Sequence, residues 1–296
     1  MSQLGAFVRL TRPLFLYGGF AGIALGAAVA AWTGRRLDLA TYLWAQGLVT
    51  AFHLMVHYAN DYFDRGCDDR TERTAWSGGS GVLVANELHP RVALIASLVC
   101  AALGVAASAR FALSGHPLVF WLGIAILVFA WCYSAPPVRL AARALGEADT
   151  VLVVAVLVPF VGYAAYTDRL DGPIFTAVLA PAAAMFAMML AVELPDAPRD
   201  GAAGKRNLVV TWGPVRAWSL ITGTALAALI FAVATALRIH ADLGMLALAP
   251  AATAAVQLLR LANGDPRPAS MARCGVLFYA ATVSGLAAVY ALPGIR

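Results

Sequence analysis

Two short acidic stretches hold most of the chemistry this chain could do. One runs Asn60-Asp61-Tyr62-Phe63-Asp64-Arg65-Gly66-Cys67-Asp68, the other Glu193-Leu194-Pro195-Asp196-Ala197-Pro198-Arg199-Asp200. Each follows a long apolar run, and seven of the 16 acidic residues fall here: Asp61, Asp64, Asp68, Asp69, Glu193, Asp196 and Asp200. Carboxylates beside a membrane are costly and rarely cluster without a counter-ion. Hard divalent cations such as Mg²⁺ meet that need, because they take oxygen ligands and bridge carboxylates to phosphate oxygens. Two such clusters point to shared cations and, through them, to a diphosphate.

The elements that carry the clusters decide whether the carboxylates can act together. If the run before the first stretch continues as helix, Asp61, Asp64 and Asp68 (i, i+3, i+7) share one face. Asp196 and Asp200 (i, i+4) would do the same, with Glu193 three residues earlier, although Pro195 and Pro198 interrupt regular helix there. Both clusters sit at C-terminal helix ends, where the backbone dipole already disfavours negative charge. Solvated acidic loops paired with nearby arginines are the bland alternative. That alternative leaves unexplained both the matched spacing and the Lys205-Arg206 pair beside the second stretch.

Composition supplies the setting. Hydrophobic residues make up 61% of the 296 and charged residues only 12%, with a mean hydropathy of +0.76. Such a chain is a polytopic membrane protein, since an apolar run of about 20 residues crosses a hydrocarbon core of about 30 Å. Only helices or closed barrels satisfy the backbone there, and continuous runs rich in Ala, Leu and Gly favour helices. Nine spans are predicted, at 14–32, 39–58, 92–109, 117–133, 150–166, 174–192, 215–237, 243–261 and 271–292. The first follows Arg9 and Arg12 without an Ala-x-Ala exit and reads as a retained span. With the N-terminus inside, 15 Lys and Arg fall on the cytoplasmic side and six on the other, from the 21 in the chain. That asymmetry orients the bundle in the cell (inner) membrane, with both acidic stretches at the cytoplasmic face. The net charge of +5 needs no nucleic-acid partner, because anionic headgroups of the lipid bilayer attract the excess cations. The four cysteines show no CxxC spacing and read as reduced packing residues. No linker or appendage interrupts residues 1–296, so one membrane domain is expected. The acidic stretches follow spans two and six, as a duplicated four-helix unit would place them.

The motifs carry a family resemblance. Asn60-Asp61-x-x-Asp64-x-x-x-Asp68 resembles the first aspartate motif of the UbiA-type intramembrane prenyltransferases. Asp196-x-x-x-Asp200, running into Gly204-Lys205-Arg206, resembles the second, most of all in 1,4-dihydroxy-2-naphthoate prenyltransferases of menaquinone synthesis. Thr11-Arg12-Pro13, the glycine-rich Ser77–Gly81, and Tyr133 through Leu140 followed by Leu145-Gly146-Glu147 are similar to further family stretches. The resemblance implies an all-α bundle of nine transmembrane helices around a central cavity open to lipid. It implies that Mg²⁺ on Asp61, Asp64, Asp68, Asp196 and Asp200 holds a polyprenyl diphosphate, whose prenyl group passes to an aromatic acceptor. Glu193 stands where the family usually has Asn and is a further candidate metal ligand. Asn60, Lys205 and Arg139 or Arg143 are expected on the diphosphate, and Arg12, Arg139 or Arg143 on an acceptor carboxylate. The tight Asp64-x-x-x-Asp68 spacing is like that of 4-hydroxybenzoate-type members. Terpene cyclisation, or transfer to a tetrapyrrole or a sugar, would use the same diphosphate motifs. A transporter would instead carry ionisable residues inside its spans, whereas these carboxylates collect at one face.

Several other residues have two readings. His53 and His57 (i, i+4) lack a third ligand at suitable spacing and read as packing or cavity-lining groups. Tyr58, Tyr62 and Tyr133 could stabilise a carbocation with their π faces or anchor helices at the interface. Asp69 and Glu72 either join the cluster or pair with Arg70 and Arg73. Asp149 reads as a cap or dipole partner at the start of span five.

Overall fold

A computed structural model describes residues 2–66, 79–239, 241–263 and 268–292. Among them, nine helical stretches are long and apolar enough to cross a membrane, so this is a multi-pass helical membrane protein. In chain order the helices are α1 (Gln3–Leu10), α2 (Tyr17–Trp32), α3 (Leu39–Asp64), α4 (Pro90–Leu113) and α5 (Pro117–Ser134). There follow α6 (Gly146–Thr150), α7 (Val158–Thr167), α8 (Gly172–Ala177), α9 (Leu179–Glu193), α10 (Ala197–Ala202) and α11 (Leu208–Trp212). The long helices α12 (Pro214–Ile239), α13 (Ala241–Asn263) and α14 (Pro268–Ala291) close the order.

Local sequence sets several helix ends. Asp38 starts α3 by accepting the Thr41 N–H at 2.8 Å, which satisfies one of the open donors of the first turn. Those backbone donors hold the Asp38 carboxyl below the usual carboxylate range. Proline opens α4 and α5 at a first-turn position where its missing N–H costs nothing. The fifth span, Gly146–Thr167, combines α6, a π-helical segment (Val151–Leu157) and α7. Pro159 lies just beyond the π segment. It cannot donate to the carbonyl four residues back, and the wider winding accommodates that lost bond.

The helices form a ring. α2 packs against α3, α7 and α14, so the first and last spans meet. α9 packs on α12 and α14, and α4 on α3 and α5. The α2–α7 crossing is close because two glycines face each other: a Cβ on Gly26 would stand 2.1 Å from the Pro159 carbonyl oxygen, and one on Gly162 2.6 Å from that of Ile23. Without a hydrophobic driving force inside lipid, such small-residue contacts hold helices together by van der Waals packing.

Two expectations change. α3 runs six residues past position 58, to Asp64, which puts the first motif on continuous helix. Asp149 does not cap the fifth span. It is the fourth residue of α6, whose cap position is Leu145, and it is buried. Polar type and an early position suggested a cap or a dipole partner; the cap fails, while the place in the first turn of α6 fits the dipole reading.

Candidate active site

The ring encloses a cavity of about 270 Å³. Its wall is mostly apolar, with Val49, Phe52, Ile126, Val154 and the methionines Met185, Met188 and Met189. The polar lining consists of Arg12, Tyr17, His53, His57, Asn60, Tyr133, Asp149, Thr150 and Tyr279. The cavity reaches the surface beside Leu14 and Tyr17, which line it while remaining 69% and 45% exposed. There the Tyr17 hydroxyl meets the Ser284 hydroxyl of α14.

The last turn of α3 supplies the first motif. Asp61 is 2% exposed and pairs with the Arg12 guanidinium at 2.5 Å. It also accepts the Ser80 N–H at 3.2 Å and the Ser80 hydroxyl, so Ser80 of the glycine-rich stretch is tied to the carboxylate. Asn60 donates to Asp64 at 2.7 Å and to Ser134 at 2.8 Å, which joins the ends of α3 and α5. Arg139 approaches Asp64 at 3.8 Å. Arg12 and Arg139 share an uncommon backbone, with φ of 48° and 49°. Non-glycine residues rarely take this left-handed conformation, and it concentrates at functional sites. Asp68 lies outside the described residues, as do Ser77, Gly78, Asp69 and Glu72.

The second motif is folded around a short helix. Asp196 occupies the cap position of α10, so Pro198 falls in the first turn, where it breaks nothing. Asp196 pairs with Arg199 at 2.8 Å. Asp200 is buried, accepts from Asn207 at 2.9 Å and faces the Lys205 ammonium at 3.6 Å. Glu147 accepts the Leu208 N–H at 2.5 Å and adjoins Glu193. The two carboxyls are left with one buried oxygen each that lacks a hydrogen-bond partner.

Lys205 connects the motifs. Its ammonium lies in the field of Tyr133, Asp200, Asp64 and Glu193, residues drawn from three separate parts of the chain. Burial alone would lower its pKa, but these neighbours outweigh burial and hold it above the ordinary lysine value. The ammonium therefore stays charged throughout the physiological range.

Most of the residues expected together are brought together: Asn60, Asp61, Asp64, Arg12, Arg139, Tyr133, Glu193, Asp200 and Lys205. The Arg143 backbone is bridged to Arg206, beside Lys205, but its side chain is turned elsewhere. It is exposed and donates to the Pro137 carbonyl at 2.9 Å, a brace for the α5–α6 turn. Tyr58 packs on Phe7, and Tyr62 lies under the Arg65 guanidinium, so neither lines the cavity. Sequence reasoning did not single out Ser80, Ser134, Asn207 or Glu147 as site residues. Each nevertheless lay inside or beside a stretch that carried the resemblance: Ser80 in the loop, Ser134 within Tyr133 through Leu140, Glu147 in Leu145-Gly146-Glu147, and Asn207 directly after Lys205-Arg206.

Among the described residues, no three His, Cys, Asp or Glu side chains converge into a ready-made metal cage. The donor set is one of separated carboxylate oxygens, some without partners, beside cations. That suits Mg²⁺, which is commonly held by one or two carboxylates plus substrate phosphates. The residues present fit the ion.

Comparison with known proteins gives the family. Residues 20–288 match the UbiA prenyltransferase family, and the chain belongs to that family of intramembrane prenyltransferases. It is 30% identical over 232 residues to a 1,4-dihydroxy-2-naphthoate octaprenyltransferase of Mycobacterium tuberculosis, covering 75% of each chain. An apo UbiA homologue from Aeropyrum pernix shares the fold with a TM-score of 0.72 at 17% identity, over 92% of this chain and 96% of that one. A UbiA homologue from Archaeoglobus fulgidus, solved with GPP and Mg²⁺, superposes with a TM-score of 0.67 at 18% identity, over 97% of this chain and all of the other.

Proposed function

We propose that the protein transfers an isoprenyl group from a polyprenyl diphosphate to 1,4-dihydroxy-2-naphthoate, a step of menaquinone synthesis. The site would lie at the cytoplasmic face of the cell (inner) membrane, the side the Lys and Arg distribution indicates. Residues 1–296 would act as one domain. The observation that carries the reading is Lys205, whose ammonium stands among carboxylates of both motifs at the edge of an apolar cavity. A diphosphate seated there would be flanked by cations, with its hydrocarbon in the dry interior.

Asp61, Asp64, Asp68, Asp196, Asp200 and Glu193 are the candidate holders of Mg²⁺, which would supply charge neutralisation to the departing diphosphate. Asn60, Lys205 and Arg139 would position and neutralise diphosphate oxygens. Arg12 lines the cavity and suits the acceptor carboxylate, because its planar fork matches one. The bond broken joins prenyl C1 to a diphosphate oxygen, and the bond made joins that carbon to the ring. The ring then releases a proton, or CO₂ where a carboxylate occupies the carbon attacked. The apolar wall keeps water from the allylic cation. The tight spacing of Asp64 and Asp68 favours a second acceptor, 4-hydroxybenzoate.

The test incubates purified protein with Mg²⁺, geranylgeranyl diphosphate and either acceptor, and identifies the product by mass. A prenylated naphthoate that has lost CO₂ is expected. EDTA and Asp64→Asn should each remove at least about 99% of turnover, a loss of the size seen when an electrostatic catalyst is deleted. Turnover undiminished by EDTA would sink the metal reading. Prenylated 4-hydroxybenzoate with no naphthoate product would overturn the menaquinone assignment and leave prenyl transfer standing.

A further inference from the structure

One cavity group has no place in the scheme so far. Asp149 lines the cavity and is only 6% exposed, and its Oδ1 has no hydrogen-bond partner. Among the described residues no cation is placed against it. An ionisable side chain at this depth is expensive, and a buried oxygen without a partner adds a desolvation cost. Asp149 follows Gly146 by one turn of α6, and a Cβ on Gly146 would lie 3.4 Å from the Tyr133 ring. The Asp149 backbone therefore stands about 5 Å further along the helix than Gly146, which packs beside the Tyr133 ring. Tyr279, halfway along α14, brings a second hydroxyl without a partner to the same chamber.

Beside Asp149 the cavity is wrong for a diphosphate or an acceptor carboxylate, because no cation among the described residues is placed there to neutralise one. The cation of the lining is Arg12, which pairs with Asp61. The place beside Asp149 suits a hydrogen-bond donor on an otherwise apolar ring. We infer that Asp149 receives the ring hydroxyl of a hydroxyarene acceptor and thereby fixes which ring carbon faces prenyl C1. The inference rests on the prenyl-transfer reading above and adds to it the orientation of the acceptor. Arg12 and Asp149 then sort the ring by its two substituents, acid toward the motifs and hydroxyl toward the interior. The hydrogen bond moves no proton, so bond making and breaking proceed as already written.

The test pairs variants with modified acceptors in the full-length protein supplied with Mg²⁺. The probes are 1,4-dihydroxy-2-naphthoate and its two mono-O-methyl ethers, which cannot donate from the blocked position. Wild type should prefer the free hydroxyl over one ether by about tenfold or more in kcat/KM, the worth of one buried hydrogen bond. In Asp149→Leu that preference should collapse to within about twofold, while acceptor KM rises about tenfold and prenyl-diphosphate KM moves less than about twofold. Asp149→Asn, which is isosteric and neutral, should fall between and guards against a folding failure of the leucine variant. Equilibrium binding of the naphthoate without prenyl diphosphate should weaken in the same order. If both variants keep the wild-type preference, Asp149 does not hold the hydroxyl and the inference is overturned. Absence of transfer to any aromatic ring by wild type would instead bring down the functional reading itself.

Discussion

Lys205 has an unusual burden for a single residue. It sits between carboxylates that otherwise repel one another, from the end of α3, the end of α9 and within α10. Before any ligand arrives it acts as a counter-ion, and afterwards it faces the anion that a prenyl diphosphate would bring. Lys205→Gln should therefore cut kcat/KM for prenyl diphosphate by about 100-fold, the loss of a buried charged partner, with acceptor KM changed little. Steady-state kinetics with each substrate varied in turn checks this, and a large rise in acceptor KM would contradict it. The sign of its pH dependence is also fixed. The folded pKa is raised, so the stabilisation it contributes is fully present below the unfolded value of about 10.4. That contribution is lost only as pH climbs through the folded value, and no decline from this group belongs in the neutral range.

At the scale of elements, the α2–α7 crossing is the place where sequence leaves least freedom. Gly26→Val would drive methyl groups into the backbone of Pro159 and Tyr163. The expected cost is roughly 3 kcal/mol, seen as a lower thermal midpoint in detergent. Gly47→Val, where an added Cβ meets nothing within 4 Å, serves as the control, and equal midpoints would refute the packing argument. The same elements show what was legible in the sequence. Nine apolar runs correspond to nine membrane-length helices among the described residues, because hydrophobic length is a one-dimensional property. The paired motifs were legible because spacing along a helix carries over directly into a shared face. The role of Ser134 was not legible, since it matters only through Asn60, 74 residues away across two helices, and that of Asn207 depends on the turn that brings it back to Asp200. Arg143 misled for the opposite reason. Its position beside the motif stretch was right, but the turn after Arg139 aims it outward to the Pro137 carbonyl.

For the molecule as a whole, the ring formed where α2 meets α14 matters less than the break in its wall. A cavity of about 270 Å³ falls near the lower end of small-molecule sites, which run to about 1,000 Å³, and a ring with the first part of a prenyl chain fills it. The rest of a long tail must leave past Leu14 and Tyr17. Beyond that point the tail meets lipid, which is as apolar as the protein wall and exerts no preference. On this reading we expect no ruler for tail length. Once the donor outgrows the chamber, each further isoprene unit should change kcat/KM by less than about threefold in bilayer nanodiscs, since lipid replaces lipid. Geranyl, farnesyl, geranylgeranyl and longer diphosphates compared side by side will decide it, and a sharp cut-off at one length would mean the wall is closed. Without such a cut-off, the side-chain length of the product is written upstream, by whichever synthase fills the membrane with diphosphate. This protein copies that length without reading it.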